Sequence, residues 1–221
     1  VAVPIGYLMS RFDFPGKRVV DAILDIPIVL PPLVIGLSLL ILFQTPAGHA
    51  VENGIRYVLD TVLAWLHWLV PAIPPRSGFQ ITYAVPAVVL AQFTVSCAFA
   101  VRTMLVTFAQ IPRRHEQVAL TLGCNRASAF WLVALPEARR GVLTAATLAW
   151  ARALGEFGPI LVFAGATRMR TEVLPTSVFL ELSVGNIEAA VAVSLLMIVA
   201  AVTVLTLART FGLRQSLERV L

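Results

Sequence analysis

The sequence predicts an all-α membrane protein, a single transmembrane domain over residues 1–221 with about five spanning helices. Three observations carry that reading. Of 221 residues, 58% are hydrophobic and only 13% charged, more apolar surface than one soluble core of this size can enclose. The apolar residues come in runs close to the roughly 20 residues that a helix needs to cross about 30 Å of hydrocarbon. Short stretches rich in proline, glycine and basic residues separate these runs, and one of them, residues 112–140, is a longer polar island that reads as a docking element.

The first ten residues, VAVPIGYLMS, are apolar but too short to span, and they lack the basic start and cleavage site of a signal peptide. They are expected to be the second half of a spanning helix, the first of the five. A polar turn, RFDFPGKR, leads into the first complete run, Asp21 to Phe43. Pro27, Pro31 and Pro32 fall in its first half, where each removes a backbone donor. This run is either a bent helix lining a pathway or a helix that starts near Leu33 after an extended entry. Asp21 and Asp25, four apart on one helical face, are expected to be solvated or favoured at a helix start.

Residues 45–80 form a loop on the outer side with one helical candidate, Ile55 to Val70. Its apolar residues recur at 55, 58, 59, 62, 66 and 69, while Arg56, Asp60 and His67 take other faces, the stripe of an amphipathic helix. With Trp65 and Trp68 suited to the interface, it is expected to lie on the membrane surface, a short true span being the alternative.

Ile81 to Phe108 is the second complete run, with Arg102 placed to snorkel at its end. Gly141 to Gly165 is the third. It carries Arg152 and Glu156, four residues apart, as a pathway or gating pair or as a structural brace. Gly155, Gly158 and Pro159 flank them in ALGEFGPI, and they should break the helix and open backbone groups to a passing solute. The last run is Ala189 to Ala208, followed by a basic, amphipathic tail from Arg209 to Leu221.

Charge sets the orientation. Alternating sides along five spans groups residues 11–18, 112–140 and 209–221 on one face, where eleven of the seventeen Lys and Arg lie, against four in 45–80 and 166–188. Basic residues mark the cytoplasmic side, which places the polar island there. The net charge of +5 is accounted for in this way, without nucleic acid.

The island, PRRHEQVALTLGCNRASAFWLVALPEARR, reads as two short helices split near Gly123 and Asn125. It has no nucleophile–base pair and no metal spacing. Cys97 and Cys124 read as packing residues. A projecting helix–turn–helix is suited to a groove on a soluble partner.

The spacing then becomes specific, because Gln117-Val118-Ala119, Gly123, Val133, Leu135 and Pro136 resemble the signature E-A-A-x3-G-x9-I-x-L-P of ABC importer permeases. Gln117 and Val118 stand where that signature has Glu and Ala, and Glu116 stands immediately before as the acid expected to meet the partner. The stretches RFDFPGKRVVDAILDIPIVLPPLVIG and ARALGEFGPILVFAG resemble the oxyanion branch of that family, the molybdate permeases with the sulfate and tungstate permeases nearby.

The resemblance implies a type I importer permease fold in a bacterial or archaeal cell membrane and a homodimer of this chain. It further implies two ATP-binding cassette subunits docked on the islands, and an external binding protein that delivers a tetrahedral anion, molybdate first. ATP and magnesium would be bound by those partner subunits, with no cofactor or metal in this chain.

Two rival classes fit less well. An intramembrane enzyme would need a Ser–His, paired Asp or metal arrangement, yet His49, His67 and His115 all lie outside the spans. An ion-coupled secondary transporter would show duplicated halves with matching broken helices, and no internal repeat is visible.

Overall fold

The computed structural model describes residues 1–69 and 79–217, and the side chains of these residues except 62–69, 207–209 and 211–217. All regular structure among the described residues is helical: α1 (Ala2–Arg11), α2 (Lys17–Val29), α3 (Pro32–Gln44), α4 (Pro46–Leu69), α5 (Val85–Gln110), α6 (Arg113–Thr121), α7 (Arg126–Ala129), α8 (Leu135–Glu137), α9 (Arg139–Leu154), α10 (Gly158–Phe163), α11 (Leu174–Ser183) and α12 (Ile187–Leu217). Two stretches, Val85–Gln110 and Ile187–Thr206, are long and apolar enough to cross a membrane, and the broken pair α2 and α3 makes a third if counted together. Only 6% of the Ile187–Thr206 window is buried, against 44% for α5. The last span is therefore almost wholly uncovered by this chain, while a little under half of α5 is covered.

Proline and glycine set the helix boundaries, as the sequence suggests. The run expected from Asp21 to Phe43 is two helices, because Pro31 and Pro32 follow one another. Pro31 caps α3 and Pro32 takes its first position, where a missing N–H costs nothing. Pro27 is tolerated inside α2.

The amphipathic helix expected at Ile55 begins at Pro46 instead, since the Thr45 hydroxyl caps it by accepting from the Gly48 amide at 3.3 Å. Val70 and the prolines and glycine at 71, 74, 75 and 78 lie outside the described residues, as do the side chains of Trp65, His67 and Trp68 and the last four residues of the basic tail. In the run from Gly141 to Gly165, α9 stops at Leu154 and α10 starts at Gly158, so the break expected in ALGEFGPI is present.

The chain divides into two compact units. The first comprises residues 1–29, 94–155 and 192–221. Its core is Met104, Phe108, Ile111, Ala134, Ala138 and Ala145, with Tyr7, Phe130 and Val142 packed against it. Here α1 comes close to α5, as a Cβ on Gly6 would lie 2.7 Å from Met104 Cβ.

An ion triad joins α2 to α5. Arg102 binds Asp21 at 2.7 Å and Asp25 at 2.5 Å. The two aspartates stay nearly half exposed, as expected of solvated groups, and they also share a cation. Their shared face, correctly read from the four-residue spacing, meets a cation from α5.

The second unit comprises residues 30–93 and 156–191. Phe43, Ile81, Ala87, Ala91, Ile160 and Phe163 form its centre. The buried Glu52 side chain of α4 accepts from the Ile81 amide at 3.2 Å, which satisfies the chain as it enters α5. Helix α10 lies against α3 with almost no gap: a Cβ on Gly36 would stand 2.7 Å from Pro159 Cα and 2.8 Å from its carbonyl oxygen. Between helices in lipid, such van der Waals contact replaces the hydrophobic drive.

Gly36→Ala should therefore destabilise the protein by about 1–3 kcal/mol, the usual range for overpacking. Gly54→Ala, in the interior of α4 with nothing within 4 Å, should be neutral or stabilising by up to about 1 kcal/mol. Thermal unfolding of the two variants in detergent reads the difference.

Candidate functional site

The 112–140 loop builds its shape from a few local rules. Pro112 precedes α6, and Glu116 sits in the first turn, where a carboxylate suits the helix dipole. Gly123 ends the helix at φ +93°, a conformation that costs other residues about 1–2 kcal/mol. The Gly123 amide donates to Leu120 O and the Cys124 amide to Ala119 O, both at 3.1 Å, which is the paired bonding of a Schellman motif. A Cβ on Gly123 would have nothing within 4 Å, so backbone conformation alone requires the glycine.

Asn125 opens the second helix, its side-chain oxygen accepting from the Ser128 amide at 2.7 Å. Phe130–Ala134 then widens into a π turn in which the Leu135 amide reaches back to Phe130 O. Pro136 follows directly, and its missing N–H is accommodated by the shifted bonding.

The expected coupling residues divide by exposure. Ala119 is buried, Val133 and Leu135 are half-buried, and Gln117, Gly123 and Pro136 are exposed. Glu116 faces inward: its carboxylate accepts from the Tyr7 hydroxyl at 2.6 Å and from Arg11 Nε at 2.8 Å. His115 and Glu137 pair at 2.9 Å, and Glu137 helps line an open pocket of about 400 Å3 with Thr103, Thr107, Gln110, Arg140 and Thr144.

Two features escaped the sequence reading. The partners of Glu116 lie on α1, more than 100 residues away in the chain, and no periodicity signals such a pair. The second is an exposed apolar set on this loop: Leu122 is 80% exposed, Leu132 71% and Trp131 64%. They are among the most exposed large apolar side chains of the described residues. Three such residues within eleven positions were visible, but only the fold shows that they point outward.

Near the other break, Arg152 places its guanidinium 5.5 Å from the centre of the Phe99 ring, a cation–π contact. Glu156 is almost fully buried. Because α9 ends at Leu154 with Gly155 as its cap, the four-residue spacing does not put Arg152 and Glu156 on one continuous helix. Gly155 is exposed, whereas Gly158 is buried against Leu33, whose Cγ would be 3.2 Å from an added Cβ.

Comparison with known proteins fits this architecture. The chain is 29% identical over 214 residues to the sulfate transport system permease protein CysT of Escherichia coli (strain K12), covering 95% of this chain and 70% of that protein. It is 34% identical over 204 residues to the molybdenum transport system permease protein ModB of Mycobacterium tuberculosis (strain ATCC 25618 / H37Rv), covering 92% and 69%. It is 32% identical over 162 residues to the molybdate/tungstate transport system permease protein WtpB of Thermococcus kodakarensis (strain ATCC BAA-918 / JCM 12380 / KOD1), covering 73% and 52%. Residues 2–216 match the model of one family across nearly the whole helical domain, and the chain belongs to that family, the binding-protein-dependent transport system inner membrane components.

Proposed function

We propose that this chain is the membrane-spanning subunit of an ATP-driven importer for a tetrahedral oxyanion, with molybdate the first choice and sulfate or tungstate the alternatives. The observation that carries the transport reading is the 112–140 loop, a helix–Schellman turn–helix that exposes Leu122, Trp131 and Leu132. Such a loop has the shape and the apolar surface to seat in a groove on a soluble ATP-binding subunit. Membership of the binding-protein-dependent family supports this, and the relatives named for sulfate, molybdate and tungstate support an oxyanion.

The assembly is two copies of this chain, two ATP-binding cassette subunits on the cytoplasmic loops, and an extracytoplasmic binding protein. ATP and magnesium belong to the cassette subunits, and this chain transports without catalysing. Closure of those subunits moves the loop as a rigid body, and the spans alternate their access.

A dianion crossing lipid needs donors and positive potential. Arg152 is the positive group proposed for the pathway. Gly155, Glu156 and Gly158, in the break that follows α9, are proposed for the same pathway.

Three measurements test these assignments. In vesicles holding the complete transporter, uptake should require ATP hydrolysis, and molybdate should outcompete sulfate. Uptake driven by an ion gradient without ATP would point to a secondary transporter. Gly123→Arg, which meets open space within this chain, should leave the protein in the membrane yet reduce uptake by about tenfold or more, a loss of roughly 1.4 kcal/mol in coupling. Normal uptake with the ATPase subunit still bound would refute the role given to the turn. Arg152→Gln and Glu156→Gln should each slow uptake, and normal rates in both would remove them from the pathway.

A further inference from the structure

The geometry points to the end of α1 as part of the coupling apparatus: Tyr7 and Arg11 are positioning residues that act through Glu116, so that α6 and α1 move as one body. This inference rests on the reading that the 112–140 loop docks an ATPase subunit, and it deepens that reading by naming what receives the motion.

Both oxygens of the Glu116 carboxylate are engaged by α1, Oε2 by the Tyr7 hydroxyl at 2.6 Å and Oε1 by Arg11 Nε at 2.8 Å. The pair is screened from water, with the Arg11 side chain 6% exposed and that of Glu116 12%. Arg11 Nη2 also donates to the Ile111 carbonyl at 3.0 Å, and Arg113 Nη2 returns a bond to the Ser10 carbonyl at 3.0 Å. The link between α5 and α6 is therefore strapped to α1 from both sides.

The Tyr7 ring stands edge-on to Phe108 with centroids 5.3 Å apart, and 4.6 Å from the Phe130 ring at the start of the π turn. One side chain thus touches the end of α5, the coupling helix and the returning helix.

The mechanical consequence follows from chain connectivity. Only Ile111 and Pro112 join α5 to α6, and a two-residue link would let a nine-residue helix swing alone when a partner pulls on it. Charge-assisted hydrogen bonds in a poorly hydrated site are short and directional, and here they remove that freedom. A displacement of α6 is passed to α1 instead of being absorbed at Ile111–Pro112. The carboxylate of Glu116 is accordingly committed to α1 and not to the docked subunit.

The test uses the complete transporter reconstituted in vesicles, with three readouts: co-purification of the ATPase subunit, ATP hydrolysis, and anion taken up per ATP hydrolysed. Arg11→Glu and Glu116→Arg should each keep the ATPase subunit bound while lowering uptake per ATP by about fivefold or more. The double variant, which restores the pair with reversed polarity, should recover most of that ratio. Tyr7→Phe keeps the ring packing and removes only the hydroxyl, and it should lower the ratio by about twofold with no loss of protein yield.

An unchanged ratio in both single charge variants would overturn the proposal. So would a double variant as defective as the singles combined, since Glu116 would then be a contact to the ATPase or a simple folding residue. A wild-type chain that binds no ATPase subunit would overturn the functional reading and this proposal with it. A coupled wild type with insensitive variants overturns this proposal alone.

Discussion

Every backbone amide and carbonyl that leaves water must find a partner inside the protein, and in lipid this constraint is close to absolute. It explains why the regular structure here is helical and why interruptions occur where they do. At several helix ends a local group takes over the freed bonds. Thr45 caps α4, Asn125 caps α7, and the paired bonds at Gly123 close α6. At Pro31-Pro32 and Pro136 the residue that breaks the pattern has no N–H to satisfy. The helix ends are therefore the places where the chain can turn, expose a side chain or offer backbone to a solute.

The same constraint applies more strongly to charge. Arg102 lies in a span and is held by Asp21 and Asp25, and Glu116 is held by Tyr7 and Arg11. Glu52 spends its carboxylate on the Ile81 amide. In each case a charged or strongly polar group fastens one helix to a distant stretch of chain, because a lone charge out of water costs more than any packing gain nearby. Polar fasteners of this kind do in lipid what hydrophobic burial does in a water-soluble core. Close glycine contacts such as Gly36 on Pro159 supply the rest.

These two features meet in the 112–140 loop. Its turn is local and stiff, its apolar side chains point outward, and its acid points inward to α1. On the proposed reading, a loop fastened to α1 in this way transmits a push that a loop hung from Pro112 alone would dissipate.

Much of this was readable from residue order. Composition gave the membrane class, proline and glycine positions gave most helix boundaries, and Gly123 with Asn125 gave the turn, because each depends on backbone preferences of adjacent residues. The start of α4 was misplaced because a capping threonine and a proline outweighed two glycines in the first turns. The sequence by itself thus determined the helical class and most of the breaks, but neither the start of α4 nor the helix α11 at Leu174–Ser183. Only the tertiary structure decided that Asp21 and Asp25 share Arg102, that Glu116 serves α1, and that Leu122, Trp131 and Leu132 stand exposed. Those choices depend on pairs far apart in the chain and on which face of a helix finds a neighbour, and neither leaves a periodic mark in the order of residues.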